Sequence, residues 1–278
     1  MKYLVVKPVG GLANRMRVLE ASYNYAHAHE AKLIIIWEKN FSLNASFADC
    51  FEAINGAALI NLDYNGTSVF AKLKRSFFDT IESAGLSFFT TVKKYDADID
   101  PWLNNTEPTS KSKAFFDKLA KNQKGVFIET CYEFYPNEKQ YHLQIQKDIK
   151  LNAYQLLLAY PSLIGIHVRR TDHTESIARS PIKRFIDEIN NQLARKPDVA
   201  FYLSTDSEDV VKQFKDLFTD KIVIGVSVRN RHSKEGIIAA LTDLCCLSQC
   251  KKIIGSFKSS FSERAAVMGR VPLKIISA

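Results

Sequence analysis

The chain is 278 residues long and carries a formal net charge of +8, with an isoelectric point near 9.1. Its composition, 46% apolar and 24% charged with few glycines and prolines, excludes a disordered or fibrous chain and leaves enough apolar material for one large α/β domain or two modest ones. The positive balance favours anionic partners. The basic residues are scattered (Lys72, Lys74, Arg75, Lys93, Lys118, Lys121) without the signature of a nucleic-acid module, so they read as a solvated basic face and not as a nucleic-acid site.

From the N-terminus, Lys2 to Lys7 reads as a strand, Gly10-Gly11 as a turn, Ala13 to Glu30 as a helix and Lys32 to Trp37 as a second strand, one β-α-β unit. The apolar stretch Leu4-Val5-Val6 is too short for a signal peptide, and no apolar run approaches the ~18 residues a membrane-spanning helix needs. The expectation is a cytoplasmic protein, with peripheral association at the inner face of a membrane left open by the basic surface. Between Asn40 and Lys124, short apolar clusters (Phe77-Phe78, Phe88-Phe89, Phe115-Phe116) alternate with lysines and turn formers such as Asn55-Gly56, Asn65-Gly66 and Asn104-Asn105, and helices with long loops are expected. A domain boundary is expected between Tyr132 and Leu158, dividing the chain into one domain over 1–150 and another over 151–278. In that second part strand-like and helix-length runs alternate: Leu163 to Val168, Pro181 to Leu193, Phe201 to Leu203, Glu208 to Phe218, Ile222 to Ile224, Lys234 to Ser248, Lys252 to Ile254, Ser259 to Met268 and Leu273 to Ile276. The rhythm predicts a doubly wound parallel sheet, which binds ligands at the carboxyl ends of its strands. The five cysteines are odd in number and have no metal-ligand spacing, so they read as reduced, buried thiols.

Four segments carry chemistry. The strand Leu163-Ile164-Gly165-Ile166-His167-Val168 ends in Arg169-Arg170-Thr171-Asp172; one guanidinium there can hold an anion bidentately while the other pairs with Asp172. Phe201-Tyr202-Leu203-Ser204-Thr205-Asp206-Ser207 closes another strand with a carboxylate suited to a nucleobase or ribose, and the same Ser-Thr-Asp-Ser run equally suits a helix N-cap. Ile253-Ile254-Gly255-Ser256-Phe257-Lys258-Ser259-Ser260 leads into a helix whose N-terminal N–H groups suit a phosphate; Ser259 or Ser260 capping with Glu263 is the competing reading. Gly10-Gly11-Leu12-Ala13-Asn14-Arg15 follows the first strand but has neither the dinucleotide fingerprint nor the P-loop spacing.

Together these segments resemble, in content and in order, the fucosyltransferase superfamily of α-1,6-fucosyltransferases, nodulation fucosyltransferases and protein O-fucosyltransferases. His167 to Asp172 is similar to the family's donor motif, Ser204-Thr205-Asp206 to its second, the stretch from Gly236 to Gly255 with Asp243 and Leu247-Ser248-Gln249 to its third, and Ser256 to Ser260 to its phosphate-contacting turn. The resemblance implies a GT-B fold of two Rossmann-like domains with a central cleft, GDP-fucose as donor, a glycan acceptor, inversion at the anomeric carbon, and neither cofactor nor metal. It further implies that Arg169 binds the β-phosphate with Arg170 assisting, that His167 and Asp206 bind the guanosine, that Ser256, Ser259 and Ser260 serve the phosphate, and that Gly11 and Asn14 belong to the N-terminal glycine loop. Two departures bear on the acceptor side: His173 stands where α-1,6 enzymes have lysine, and the loop acid Glu175, the preferred general base, is displaced by two positions from the family's glutamate.

Two rival classes are separable. A metal-dependent sugar transferase would use Asp96-Ala97-Asp98, and a nucleotide- or glycan-binding module would bind GDP without transfer. A serine hydrolase lacks its Gly-x-Ser-x-Gly elbow.

Overall fold

The computed structural model describes residues 1–76, 90–93, 110–136, 143–160, 162–171, 174–225, 228, 230 and 232–277. The chain divides into two compact units, Met1–Gln144 and Ile145–Ala278.

In the first unit, β1 (Tyr3–Pro8), α1 (Leu12–Ala28), β2 (Lys32–Lys39), α2 (Phe47–Cys50), β3 (Ala57–Asp63), β4 (Thr90–Lys93), α3 (Ser110–Asn122) and β5 (Gly125–Thr130) follow one another. The sheet order is β3-β2-β1-β5-β4, and every neighbouring pair is parallel. The central strand β1 buries Leu4, Val5 and Val6, the uninterrupted apolar run that a strand covered on both faces requires. Strands β3 and β4 lie where helices and long loops are expected from the sequence. The physical reason is their edge position: β3 reads Ala-Ala-Leu-Ile-Asn-Leu-Asp with only Leu62 fully buried, so it never shows the apolar run of an inner strand, and β4 is only four residues long. Of the apolar clusters in that stretch, Phe116 packs in the core against Tyr25 and Phe134. Phe77-Phe78, Phe88-Phe89, Asn104-Asn105 and Asp96-Ala97-Asp98 lie outside the described residues.

In the second unit, α4 (Lys147–Leu157) precedes β6 (Leu163–Val168), α5 (Thr174–Arg179), α6 (Ile182–Arg195), β7 (Ala200–Thr205), α7 (Glu208–Phe218), β8 (Ile222–Val223), α8 (Lys234–Ser248), β9 (Ile253–Ser256), α9 (Ser260–Gly269) and β10 (Leu273–Ile276). The order β10-β9-β6-β7-β8 is again wholly parallel. Ile166, Val168, Phe185, Phe201, Phe214 and Ile254 form one buried cluster between sheet and helices, each such side chain contributing roughly 1.5–3 kcal/mol of burial. The chain runs from β6 outward through β7 to β8, then returns to lay β9 and β10 on the other side of β6. The strand order therefore reverses between β6 and β9, the point at which open parallel sheets bind ligands beyond their carboxyl ends. All five cysteines are buried thiols, and burial pushes Cys246 and Cys250 up to about 12, away from reactivity.

Candidate functional site

The carboxyl ends of β6 and β9 meet at this reversal. Arg169 follows β6 directly and its backbone N–H donates to Ser256 Oγ at 3.0 Å; the same hydroxyl donates to the His167 carbonyl at 3.3 Å. Ser256 is wholly buried, so it acts as a latch between the two strand ends and not as an exposed phosphate ligand. Next to it Gly255 is required by space: a Cβ there would lie 2.5 Å from Ser262 Oγ, too close for α9 to keep its place.

Asp206, at the end of β7, grips the loop from the other side. Its Oδ1 accepts from the Arg170 N–H at 2.7 Å, and its Oδ2 accepts from the Thr171 N–H at 3.2 Å and the Thr171 hydroxyl at 2.7 Å. The N-cap role open to this run falls on Ser207, whose hydroxyl accepts from the Val210 N–H, which leaves Asp206 to the loop. The two arginines have different tasks. The Arg170 guanidinium turns inward and donates to the carbonyls of Ile177 and Ser180, and its burial lowers its affinity for the proton despite the Asp206 charge nearby. It fixes the loop through those carbonyls, where a contact to Asp172 is expected from the sequence; Asp172 and His173 lie outside the described residues. Ser180 completes the frame, accepting from the Phe257 N–H at 2.8 Å and donating to the Ile276 carbonyl at 2.6 Å. Nothing in the pattern around Ser180 marks it in the sequence, because a serine before a proline is ordinary at a helix start.

His167 is buried beside Arg169. Its Nδ1 shares a 3.3 Å hydrogen bond with Ser259 Oγ, and its ring stacks on Phe261 with centroids 4.9 Å apart. Burial, reinforced by the Arg169 charge and partly opposed by Asp206, lowers its pKa from 6.5 to about 4. It is therefore a neutral hydrogen-bonding group at physiological pH. The unfolded chain binds this proton near pH 6.5 and the folded chain only near about 4, so stability is full above pH 6.5 and falls as pH drops between the two values, by about 3 kcal/mol in all. Urea titrations at pH 7 and at pH 4.5 are expected to show that loss, and His167→Gln to show a smaller one.

At α9 the N-cap is Ser259, but its side chain makes no cap hydrogen bond because it is turned to His167; the capping box with Glu263, the competing reading of this segment, does not form. The first turn of α9, beginning at Ser260, thus presents its N–H groups without a side-chain cap, the arrangement that suits an anion. Between Ser256 and this turn, the Phe257 ring carries Arg179 at 4.3 Å and Lys258 at 5.5 Å over its faces. Glu175, in the first turn of α5, is exposed and ion-paired with Lys258 at 3.2 Å. Below the loop, Asp243 of α8 accepts from Tyr202 at 2.6 Å and from Ser204 at 2.9 Å, tying β7 to α8 through a fully buried polar network.

The structure thus brings together His167, Arg169, Arg170, Glu175, Asp206, Ser256, Ser259 and Ser260 at one edge of the second sheet. Gly11 and Asn14 belong to the first unit. There Gly10 adopts φ +82 and Gly11 is the N-cap of α1, again without a side-chain cap, while Asn14 Oδ1 is buried with no hydrogen-bond partner among the described residues. Arg15 is buried with its guanidinium engaged by the carbonyls of Gly10 and Glu38 and by Asn40, and burial lowers its pKa to about 10. It holds the turn and is not exposed to a ligand.

No protein-family model matches the chain, and neither does any curated protein. Solved structures do. The α-1,6-fucosyltransferase NodZ co-crystallised with GDP, also solved from Bradyrhizobium, superposes with a TM-score of 0.61 at 18% identity, over 98% of this chain and 94% of that one. A point mutant of Arabidopsis thaliana FUT1 in complex with GDP gives 0.61 at 14% identity, over 99% of this chain and 70% of that one. POFUT1 in complex with GDP gives 0.54 at 11% identity, over 100% and 99%. At these identities the likeness is one of architecture: the chain has the GT-B fold of these fucosyltransferases.

Proposed function

We propose that the chain is a metal-independent, inverting glycosyltransferase that moves fucose from GDP-fucose to the hydroxyl of a glycan. The observation that carries this reading is the conjunction at the β6–β9 reversal of an arginine, Arg169, whose backbone is latched by Ser256, with the uncapped N-terminus of α9. Both suit a diphosphate, and fold neighbours solved with GDP and with GDP-fucose support the choice of nucleotide and sugar. In this reading the second unit binds the donor and the first unit, with Gly11 and Asn14, serves the acceptor.

The chemistry is a single displacement. The acceptor oxygen attacks the anomeric carbon as its proton passes to a carboxylate; the bond from that carbon to the β-phosphate oxygen breaks, and its electron pair leaves with GDP. Arg169 and the α9 N-terminus stabilise the charge that grows on the departing phosphate, the part a divalent cation plays in other transferases. Arg170 and Asp206 hold the loop that carries Arg169, and neutral His167 keeps Ser259 in place. Glu175 is the proposed base. Its ion pair with Lys258 ties it to the loop that leads into α9. Glu175→Gln is expected to lower turnover about a hundredfold or more while leaving the Kd for GDP within about twofold. Initial rates of GDP release beside calorimetric GDP binding read both quantities, and unchanged turnover eliminates Glu175 as the base.

A further inference from the structure

The segment after β3 carries a surface that the transfer reaction does not use. The backbone is helical from 69 to 76, with the Ser68 hydroxyl accepting from the Ala71 N–H at 3.1 Å at its start. One face is anchored: Arg75 donates to the Tyr64 carbonyl at 2.7 Å and lies 5.6 Å over the Tyr64 ring, and Ala71 packs against Gly66, where a Cβ would come within 3.0 Å. The opposite face is apolar and open, with Val69 74%, Phe70 77% and Leu73 63% exposed. No other large apolar side chain among the described residues is as exposed as Phe70. At 100° per residue these three fall on one arc, and the exposed Lys72 and Lys74 flank it on either side. Between Asp63 and Asp79 the sequence contains no acidic residue, and Asp63 itself is paired with Lys39 at 3.3 Å.

We infer that this helix docks the protein on an anionic lipid surface, Val69, Phe70 and Leu73 entering the headgroup layer while Lys72 and Lys74 pair with lipid phosphates. A structured helix whose outward arc is apolar and whose flanking charges are all cationic matches the charge and depth of such an interface, whereas a water-facing surface gains nothing from three exposed apolar side chains on one arc. Because β3 and β1 run parallel, the helix leaves the same edge of the first sheet as the Gly10-Gly11 turn. Resting on the reading above, docking there holds the acceptor side of the enzyme at a membrane; the docking itself does not depend on which donor is used.

Cosedimentation of the full chain with vesicles tests this. Binding is expected with phosphatidylcholine–phosphatidylglycerol vesicles, and much less with phosphatidylcholine alone or in high salt. Phe70→Ser/Leu73→Ser and Lys72→Glu/Lys74→Glu are each expected to lower partitioning about tenfold or more, with GDP binding unchanged. Leu151→Ser/Leu158→Ser, on another exposed stripe, is expected to bind as the parent does. The inference is overturned if the parent ignores anionic vesicles, if the Phe70/Leu73 variant binds as well as the parent, if the Leu151/Leu158 variant loses as much, or if the Phe70/Leu73 change alters only self-association in analytical ultracentrifugation. Vesicle binding without GDP binding leaves the docking standing and removes the donor reading instead.

Discussion

Replacing Arg169 with alanine is expected to reduce fucosyl transfer by about 10²–10³-fold and to raise the Kd for GDP about ten- to a hundredfold, with little change in melting temperature. The guanidinium stands at the end of β6 with its backbone fixed by the Ser256 latch, and the substitution leaves that latch intact because it uses the Arg169 N–H. In the proposed reaction the loss therefore falls on the interaction with the diphosphate, which is largest when the phosphate gains charge as the sugar departs. Arg169→Lys keeps the charge but not the two-pronged geometry, and partial transfer is expected from it. Initial rates and calorimetry on the same samples separate the two effects; normal transfer by the alanine variant contradicts the assigned role.

Asp206→Asn is expected to have the second largest effect, and it acts at a distance. Both carboxylate oxygens hold the loop, through the backbone N–H groups of Arg170 and Thr171 and the Thr171 hydroxyl, so the amide retains one acceptor and loses the other. Affinity for GDP should fall about tenfold, and affinity for inorganic pyrophosphate should fall by a similar factor, because the displaced element is the arginine loop. The sequence reading gives Asp206 to the guanosine instead. A loss confined to guanine nucleotides, with pyrophosphate binding intact, would support that assignment over the loop-holding one.

The difference between those two assignments shows where the sequence speaks and where it stops. The inner strand β6 is legible because it is buried along its whole length and reads as an apolar run ending in two arginines, so Leu163 to Val168 is bounded as the sequence suggests. The edge strand β10 keeps its expected bounds, Leu273 to Ile276, although Lys274 interrupts its apolar run and its middle is exposed; the alternation of strand and helix lengths marks it instead. The edge strands β3 and β4 carry no such run and stay hidden. The candidate residues of the second unit are legible as types at strand ends, and those among the described residues lie at the carboxyl ends of β6, β7 and β9. Their individual roles are not, because a role depends on which way a side chain turns. Arg169 and Arg170 are adjacent and chemically identical, yet Arg170 is committed to the carbonyls of Ile177 and Ser180. Ser256, Ser259 and Ser260 lie within five residues, yet Ser256 is a buried latch and Ser259 partners His167. Ser180 joins the loop, β9 and β10 through one hydroxyl and one carbonyl, contacts made over long sequence separation that no local pattern encodes.

In the proposed reaction this edge of the second sheet binds a guanosine diphosphate sugar without metal. Calorimetric titration of the full chain with GDP, GDP-fucose, GDP-mannose and a UDP-sugar, first without added divalent cation and then with EDTA, tests it most directly. Binding of the guanine nucleotides that is indifferent to EDTA, with the UDP-sugar failing to bind, is the result predicted here. Absence of GDP binding, or binding that requires a divalent cation, would contradict the account.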